Sequence, residues 1–271
     1  MKLSSLSIFF PAFNDSKTIA GLVREATKVA QHLTDDFEIV VANDGSSDNT
    51  REILGEIEAS NERVRAIHHE SNRGYGAALI SGFAHSTKEW VFYTDGDAQY
   101  DVRDLLLLAK HATPGIGLVN GYKVSRADGW CRRIIGHLYH RTVKFIFGLP
   151  VRDTDCDFRL IHRSFVLKLH LESDSGAICV ELIQKLHAHG CRIVELPVAH
   201  YQRVFGKSEF FRLHRISYTL SQLLRLWWEL FVRARLQKIS YASLFRPEIY
   251  YGGIMALAIL AMLNSKSWIG F

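Results

Sequence analysis

Several familiar signatures are missing from this chain, and each absence removes a class of function. Its four cysteines, Cys131, Cys156, Cys179 and Cys191, form no C-x-x-C pair. They read as reduced, mostly buried thiols of a cytosolic domain rather than a disulfide framework. Thirteen histidines are present, yet no H-E-x-x-H and no Cys/His zinc spacing occurs. The pairs His137/His140 and His187/His189 read as surface or packing residues. No G-x-G-x-x-G follows the first strand, and no G-x-x-x-x-G-K-[ST] occurs anywhere. That argues against a dinucleotide dehydrogenase and a P-loop NTPase. No signal peptide opens the chain: Lys2, Leu3, Ser4 and Ser5 run directly into a strand-like LSIFF. No uninterrupted apolar run reaches the ~20 residues that span a bilayer core.

What is present is a chain of 271 residues with 48% hydrophobic and 23% charged residues. That is enough for one large α/β domain and an appendage. The net charge is +5 and the pI about 9.0. A mildly basic chain favours an anionic partner: a phosphorylated substrate, an anionic lipid or nucleic acid.

Short apolar runs alternate with amphipathic stretches. Residues 6–10, 37–42 and 90–93 read as buried strands, and 64–68 and 116–120 as further strands. Between them, Ile19, Leu22, Val23, Ala26, Val29 and Leu33 recur at helical spacing, with Asp15 or Ser16 placed to cap that helix. Further helices are expected up to Ser60, after Gly76 and over residues 102–111. Four strand–helix alternations in 120 residues imply a mostly parallel sheet covered by helices on both faces. Polar loops at Asn14/Asp15, Asn43/Asp44 and Asp95/Asp97 all follow strands, and right-handed crossovers bring such loops to one edge.

The stretch WVFYTDGDAQY is the focus. A buried strand ends in Asp95 and Asp97, with Gln99 two residues on. Two hard oxygen ligands at that edge suit a divalent cation that also takes phosphate oxygens. Asp-Gly is equally ordinary turn chemistry, so the tripeptide alone does not decide.

The second half carries the basic residues. Lys123, Arg126, Arg132 and Arg133 cluster, and Asp153, Asp155 and Asp157 form a second acidic group before Phe158 and Arg159. Glu181 lies in a helical stretch ending at Gly190, and residues 192–198 read as a strand. Arg203 and Lys207 belong to a basic, glycine-containing loop that ends in Ser208. From Arg203 to Arg246 there are nine Lys/Arg against two Glu, a local balance of +7. Leu213, Ile216, Leu220, Leu223, Leu224, Trp227 and Phe231 form one apolar stripe. A stripe with Trp and a cationic flank suits an interfacial membrane helix, and equally a helix packed on the domain. Residues 249–263, IYYGGIMALAILAML, read as a membrane-embedded tail flanked by aromatic anchors. Three regions are expected: a catalytic domain over 1–210, a basic amphipathic segment over 211–246 and an apolar tail over 247–271.

Six stretches together carry a resemblance. They are Pro11-Ala12-Phe13-Asn14-Asp15, Asn43-Asp44-Gly45-Ser46-Ser47-Asp48, Asn72-Arg73-Gly74-Tyr75-Gly76, Asp95-Gly96-Asp97-Ala98-Gln99, Asp157-Phe158-Arg159-Leu160 and Arg203-Val204-Phe205-Gly206-Lys207-Ser208. In this order they resemble the family-2 glycosyltransferases of GT-A fold, and within them the polyprenyl-phosphate sugar transferases of dolichol-phosphate mannosyltransferase type. The resemblance implies a Rossmann-like sheet with membrane-associated C-terminal helices. It places Pro11, Ala12, Asn14, Asp15, Asp44, Arg73, Gly74 and Asp95 on a nucleotide sugar. It gives Asp95, Asp97 and Gln99 a Mg2+ or Mn2+ ion, and a catalytic part to Asp95, Asp97, Asp157 and Arg203. The acceptor phosphate would fall to Lys123, Arg126, Arg132, Arg133, Arg203, Lys207 and Ser208. Three residues depart from the pattern: Asp15 where Glu is frequent, Asn43 where a second Asp is frequent, and Gly136 where a serine follows the acceptor-loop arginine.

The resulting expectation is a metal-dependent inverting transferase moving a hexose to a polyprenyl or dolichyl phosphate. It would act at the membrane, with the catalytic domain on the cytoplasmic face. Transfer to a hydroxyl of a lipid or polysaccharide is the alternative, with Asp155, Asp157 or Glu181 as base. A non-catalytic membrane scaffold of the same fold is another. Nucleic acid is not an expected partner, because the basic residues sit beside apolar sequence rather than among aromatics on a sheet.

Overall fold

The computed structural model describes residues 2–124, 140–203 and 213–233. Cys131, Arg126, Arg132, Arg133, Gly136, Lys207, Ser208 and the apolar tail of residues 249–263 lie outside the described residues, as do residues 211–212 and 234–246 of the basic segment.

Seven strands make one sheet in the order β3-β2-β1-β4-β6-β5-β7. They are β1 Leu6–Ala12, β2 Phe37–Asn43, β3 Val64–His68, β4 Trp90–Thr94, β5 Leu118–Lys123, β6 Phe158–His162 and β7 Ile193–Val198. The helices are α1 Ile19–Leu33, α2 Thr50–Ser60, α3 Tyr75–His85, α4 Leu105–Ala109, α5 over residues 140–147, α6 Arg163–Val166, α7 Ile178–Ala188 and α8 Leu213–Trp227. The β1, β2, β3 and β4 pairings are all parallel, as the alternation requires. Strand β6 is the exception. It runs antiparallel between β4 and β5. The carboxylates of residues 153–157 mask this strand in the sequence, because an acidic run reads as a loop.

Alternate strand residues feed two cores, one on each face. Leu6, Ile8, Phe10, Ile39, Val41, Phe92 and Leu160 pack under α1, α2 and α4. Phe9, Val40, Val91, Tyr93 and Ile161 pack under α3, α5, α7 and α8. Phe9 stacks on Tyr93 at 5.2 Å, and Phe83 meets Phe9 and Tyr93 edge-on at 4.9 and 5.5 Å. Truncating a core aromatic such as Phe92 to Ala would remove about 3–5 kcal/mol.

Three local expectations change. Helix α1 has Thr18 as N-cap and no side-chain cap. The Asp15 carbonyl accepts from the Thr18 and Ile19 N–H groups instead, which leaves the Asp15 carboxylate for the site. The stretch over 102–111 is a 3-10 turn, Val102–Asp104, followed by the short α4; the Asp101 side chain caps it through the Arg103 N–H. The apolar stripe of α8 is split. Leu223, Leu226 and Phe231 pack on the domain. Ile216, Leu224 and Trp228 are 41, 39 and 55% exposed. Among the described residues, no helix is long and apolar enough to cross a membrane.

Candidate active site

The C-terminal ends of β1, β2 and β4 bring three loops together, and hydrogen bonds lace them into one rim. The Asp44 N–H donates to the Ala12 carbonyl at 2.9 Å, and the Gly96 N–H to the Pro11 carbonyl at 3.2 Å. Asn14 Oδ1 accepts from the Ser47 N–H at 2.8 Å, and Asp48 Oδ2 accepts from the Ser16 N–H at 3.1 Å. Thr18 Oγ1 donates to the Gly96 carbonyl at 2.8 Å. Gly96 is required by this closeness, since a Cβ there would lie 2.8 Å from the Pro11 carbonyl oxygen. Asn14 and Ala98 have left-handed backbone, each with φ 58°. Both sit in this rim, where strained backbone commonly serves function.

Asp95 and Asp97 lie side by side at the end of β4. The Tyr75 hydroxyl donates to Asp95 Oδ1 at 2.9 Å. Burial, then the Asp157 and Asp97 charges, push the Asp95 carboxyl well above the usual carboxylate range. Asp97 is only 7% exposed. Its Oδ1 accepts the Gln99 N–H at 3.1 Å, and Arg203 pairs with its Oδ2. The Gln99 amide Nε2 donates to the Tyr201 carbonyl at 3.0 Å. Asp15 joins the group: burial raises its pKa to about 6, with Asp97 adding to the rise and Arg203 opposing it. Two carboxylates with an amide beside them, crowded enough to repel one another, are a donor set that fits a hard divalent cation.

The other expected nucleotide residues are placed as follows. Pro11 and Ala12 are buried at the end of β1, with both carbonyls engaged by neighbouring loops. Asp44 anchors a turn. Its Oδ1 accepts the Arg73 N–H at 2.8 Å, its Oδ2 accepts the Gly74 N–H at 2.9 Å, and His69 Nδ1 lies 2.7 Å from Oδ1. Gly74 has φ +100°, and a Cβ there would meet the Asp174 carbonyl at 2.3 Å. The carboxylate of Asp44 is thus tied to the turn, and Arg73 is left exposed beside it.

Beneath the rim lies a buried cationic hub. Arg159, fully buried, donates from Nε to Asn120 Oδ1 at 2.9 Å and from Nη1 to Asp157 Oδ1 at 3.3 Å, and also contacts the Tyr93 hydroxyl. Asp157 Oδ1 also accepts from the Cys179 thiol at 3.3 Å. Beside the hub, Lys123 Nζ donates to the Asp155 carbonyl at 2.6 Å. Burial opposes the Lys123 charge, but Asp153 and its neighbours outweigh that and raise its pKa. His140, Asp153 and Asp155 each bring one ligand atom within 4.8 Å of the others, a second group that could hold a metal ion. Asp157, Arg203 and Lys123 therefore converge with Asp95 and Asp97. Glu181 does not. It is buried on α7, accepting from the Glu172 and Ser173 N–H groups at 3.0 and 2.8 Å and pairing with Lys185.

A model of the family described as glycosyl transferase family 2 matches residues 7–169. The chain belongs to this family. Its fold is similar to that of glucosyl-3-phosphoglycerate synthase from Mycobacterium tuberculosis. The crystal structure of that enzyme with Mn2+, UDP and phosphoglyceric acid has a TM-score of 0.61 at 18% identity, covering 81% of this chain and 76% of that one. The complex with Mn2+ and UDP-glucose has a TM-score of 0.61 at 17% identity, covering 81% and 76%. The complex with Mg2+ and UDP has a TM-score of 0.61 at 17% identity, covering 81% and 79%. At this identity the likeness is one of fold.

For this family-2 chain, reasoning from sequence missed four contributors. Tyr75 stood inside a quoted motif, and only the fold shows its hydroxyl on Asp95. Arg159 was part of the D-F-R-L stretch without a role of its own. His69 carried no signal. His140 was read as a surface or packing residue; it is buried beside Thr154, 3.0 Å from its Oγ1, in the group with Asp153 and Asp155.

Proposed function

We propose that this family-2 glycosyltransferase moves a hexose from a nucleotide-diphosphate sugar to a polyprenyl or dolichyl phosphate at a membrane surface, with inversion at the anomeric carbon. The observation that carries this reading is the placing of Arg203 directly on Asp97, with the Lys123 ammonium close enough to act on Asp95. Paired carboxylates beside cationic side chains suit two anionic substrates brought together. A phosphate monoester is already ionised near neutral pH, its second pKa being about 6. Such an acceptor needs no strong base, only cations that hold it in line.

Asp95 and Asp97, with Gln99, would hold Mg2+ or Mn2+. When bound, that ion neutralises charge on the departing diphosphate. The chain's own residues do the rest. Tyr75 orients Asp95 through its hydroxyl. Arg159 holds the Asp157 side chain in place through its Nη1 hydrogen bond to Oδ1. The rim of Asn14, Asp15, Asp44, Arg73 and Gly74 shapes the nucleoside site, Asp44 by holding the Arg73–Gly74 turn. Arg203 and Lys123 serve phosphates, with Arg126, Arg132, Arg133, Lys207 and Ser208 expected to join them. The fold relatives' ligands support the donor class, since those crystals hold UDP, UDP-glucose and Mn2+ or Mg2+.

Membrane attachment is part of the proposal, because a polyprenyl chain stays in the bilayer. The outward face of α8, with Ile216 and Leu224 exposed and Trp228 exposed in the turn that continues it, suits an interfacial position, and the basic sequence that follows suits anionic headgroups. The 249–263 tail would add a membrane-embedded anchor, with the catalytic domain and the basic segment on the cytoplasmic side.

A second reading is transfer to a hydroxyl. Asp155 favours it: burial raises its carboxyl, opposed by Lys123, and a raised carboxylate is what a base needs. The test is a screen of full-length protein with Mn2+ or Mg2+, a panel of sugar nucleotides, and either polyprenyl phosphate in vesicles or hydroxyl acceptors, read by product mass. Glycosyl phosphoprenol is the expected product. Transfer to hydroxyls alone would replace the first reading with the second, and donor binding without turnover on any acceptor would leave a scaffold.

A further inference from the structure

Arg203 reaches the metal loop from more than a hundred residues away in sequence, and it does not arrive alone. The Tyr201 N–H donates to the Gln99 carbonyl at 2.8 Å, and the Gln99 side chain returns a bond to the Tyr201 carbonyl at 3.0 Å. Tyr100 and His200 form an antiparallel bridge next to them. Residues 200–203 are thus stitched to residues 99–100, immediately after Asp97. With Gln99 N–H on one oxygen of Asp97 and the Arg203 guanidinium on the other, both oxygens are engaged.

A guanidinium and a divalent cation cannot occupy the same carboxylate oxygen, because at about 4 Å their charges repel strongly in a partly buried site. We propose that Arg203 is an internal stand-in for the metal: it holds Asp97 in the metal-free enzyme, is expelled when the cation enters, and is kept by the Gln99–Tyr201 stitch within a side chain's length of the phosphates it then serves. This rests on the assignment of the metal to Asp97. It makes one residue oppose metal entry and favour phosphate binding, so the two effects of removing it have opposite signs. It also sets an order, with the cation and donor arriving before Arg203 can engage the acceptor.

The test is titration of the full chain with Mn2+ alone, followed by electron paramagnetic resonance, for wild type, Arg203→Met, Arg203→Lys and Asp97→Asn. Arg203→Met should bind Mn2+ about two- to fivefold tighter than wild type, the loss of one partly exposed competing ion pair. Arg203→Lys, which keeps the charge without the planar fork, should fall between them. In steady-state assays the same Arg203→Met protein should show a raised acceptor KM. Mn2+ affinity that is unchanged or weaker in Arg203→Met, while Asp97→Asn loses the ion, would overturn the stand-in and leave the metal assignment standing. If Asp97→Asn binds Mn2+ as wild type does, or if wild type and Arg203→Met bind none, the metal is not at Asp97 and both readings fall.

Discussion

Asp95–Gly96–Asp97 and Asp153–Thr154–Asp155 are both pairs of carboxylates separated by one residue, and the fold handles them by different means. The second pair is neutralised by a cation from the sheet itself, Lys123 at the end of β5. The Lys123 N–H lies 3.4 Å from Asp153 Oδ2, its ammonium bonds the Asp155 carbonyl, and the Asp155 N–H closes back on Asp153 Oδ1 at 3.1 Å. Arg159 secures the same loop through the Thr154 carbonyl at 2.5 Å. The first pair has a tyrosine hydroxyl on Asp95 and a cation on Asp97 that comes from a distant segment. An acidic loop whose counter-charge stands on a strand of the sheet is part of the architecture. One whose counter-charge is borrowed from a separate segment can exchange it for a ligand.

The largest expected effect tests that contrast directly. Asp97→Ala should lower sugar transfer by about a hundred- to a thousandfold, the scale for losing a preorganised electrostatic group, with the far-UV spectrum close to wild type. Excess chelator should do the same to wild type. Transfer that survives either treatment would move the metal away from Asp97.

Asp153→Ala should do the reverse. It leaves the Lys123 and Asp155 N–H groups without their acceptor, so stability should fall by about 1–3 kcal/mol in denaturant titration. Mn2+ affinity should stay near wild type. If Asp153→Ala instead abolishes Mn2+ binding at unchanged stability, the His140, Asp153 and Asp155 group is the metal centre and the contrast is inverted.

Tyr75→Phe sharpens the first pair. The tyrosine bond favours the ionised form of Asp95, against burial and the Asp157 and Asp97 charges. Its loss should lower kcat about tenfold, the value of one hydrogen bond to a charged group, and shift the acid limb of the pH–rate profile upward. An unmoved acid limb would mean that Asp95 does not set it.

The smallest effect is on stability against pH. The Asp15 carboxyl is raised from 3.8 to about 6, so the folded state binds its proton more tightly than the unfolded state. That contribution is fully present below pH 3.8 and is lost as pH rises through about 6. Asp15→Asn, which cannot ionise, should therefore melt higher than wild type above pH 6, with the gain shrinking toward pH 4. Melting curves at pH 4, 6 and 8 check this, and a gain that is flat across that range would contradict it.

Much of the fold was legible in the chain. Apolar runs ending in polar turns placed β1, β2 and β4 within a residue or two, since a strand buried on both faces shows itself as a continuous apolar run, and the edge strand β3 was placed at Val64–His68 although Arg65 interrupts it. Strand β6 escaped because carboxylates precede it and Arg159 interrupts it, a charge that pattern reading puts outside the sheet and the fold puts at its centre. The α8 stripe was legible as apolar but not as divided, because helical spacing gives a face without saying which part of it another element covers.

Local chemistry alone determined that paired aspartates close a buried strand, that cations are concentrated in the second half, and that the motifs occur in the order of family 2. Only the tertiary structure decided which cation meets which carboxylate: Lys123 with Asp153 and Asp155, Arg159 with Asp157, Arg203 with Asp97. The reason is range. Strand and helix propensities act over a few neighbours, whereas a charge pairs with whatever the packed sheet brings within about 4 Å, and Arg203 and Asp97 are 106 residues apart in the chain.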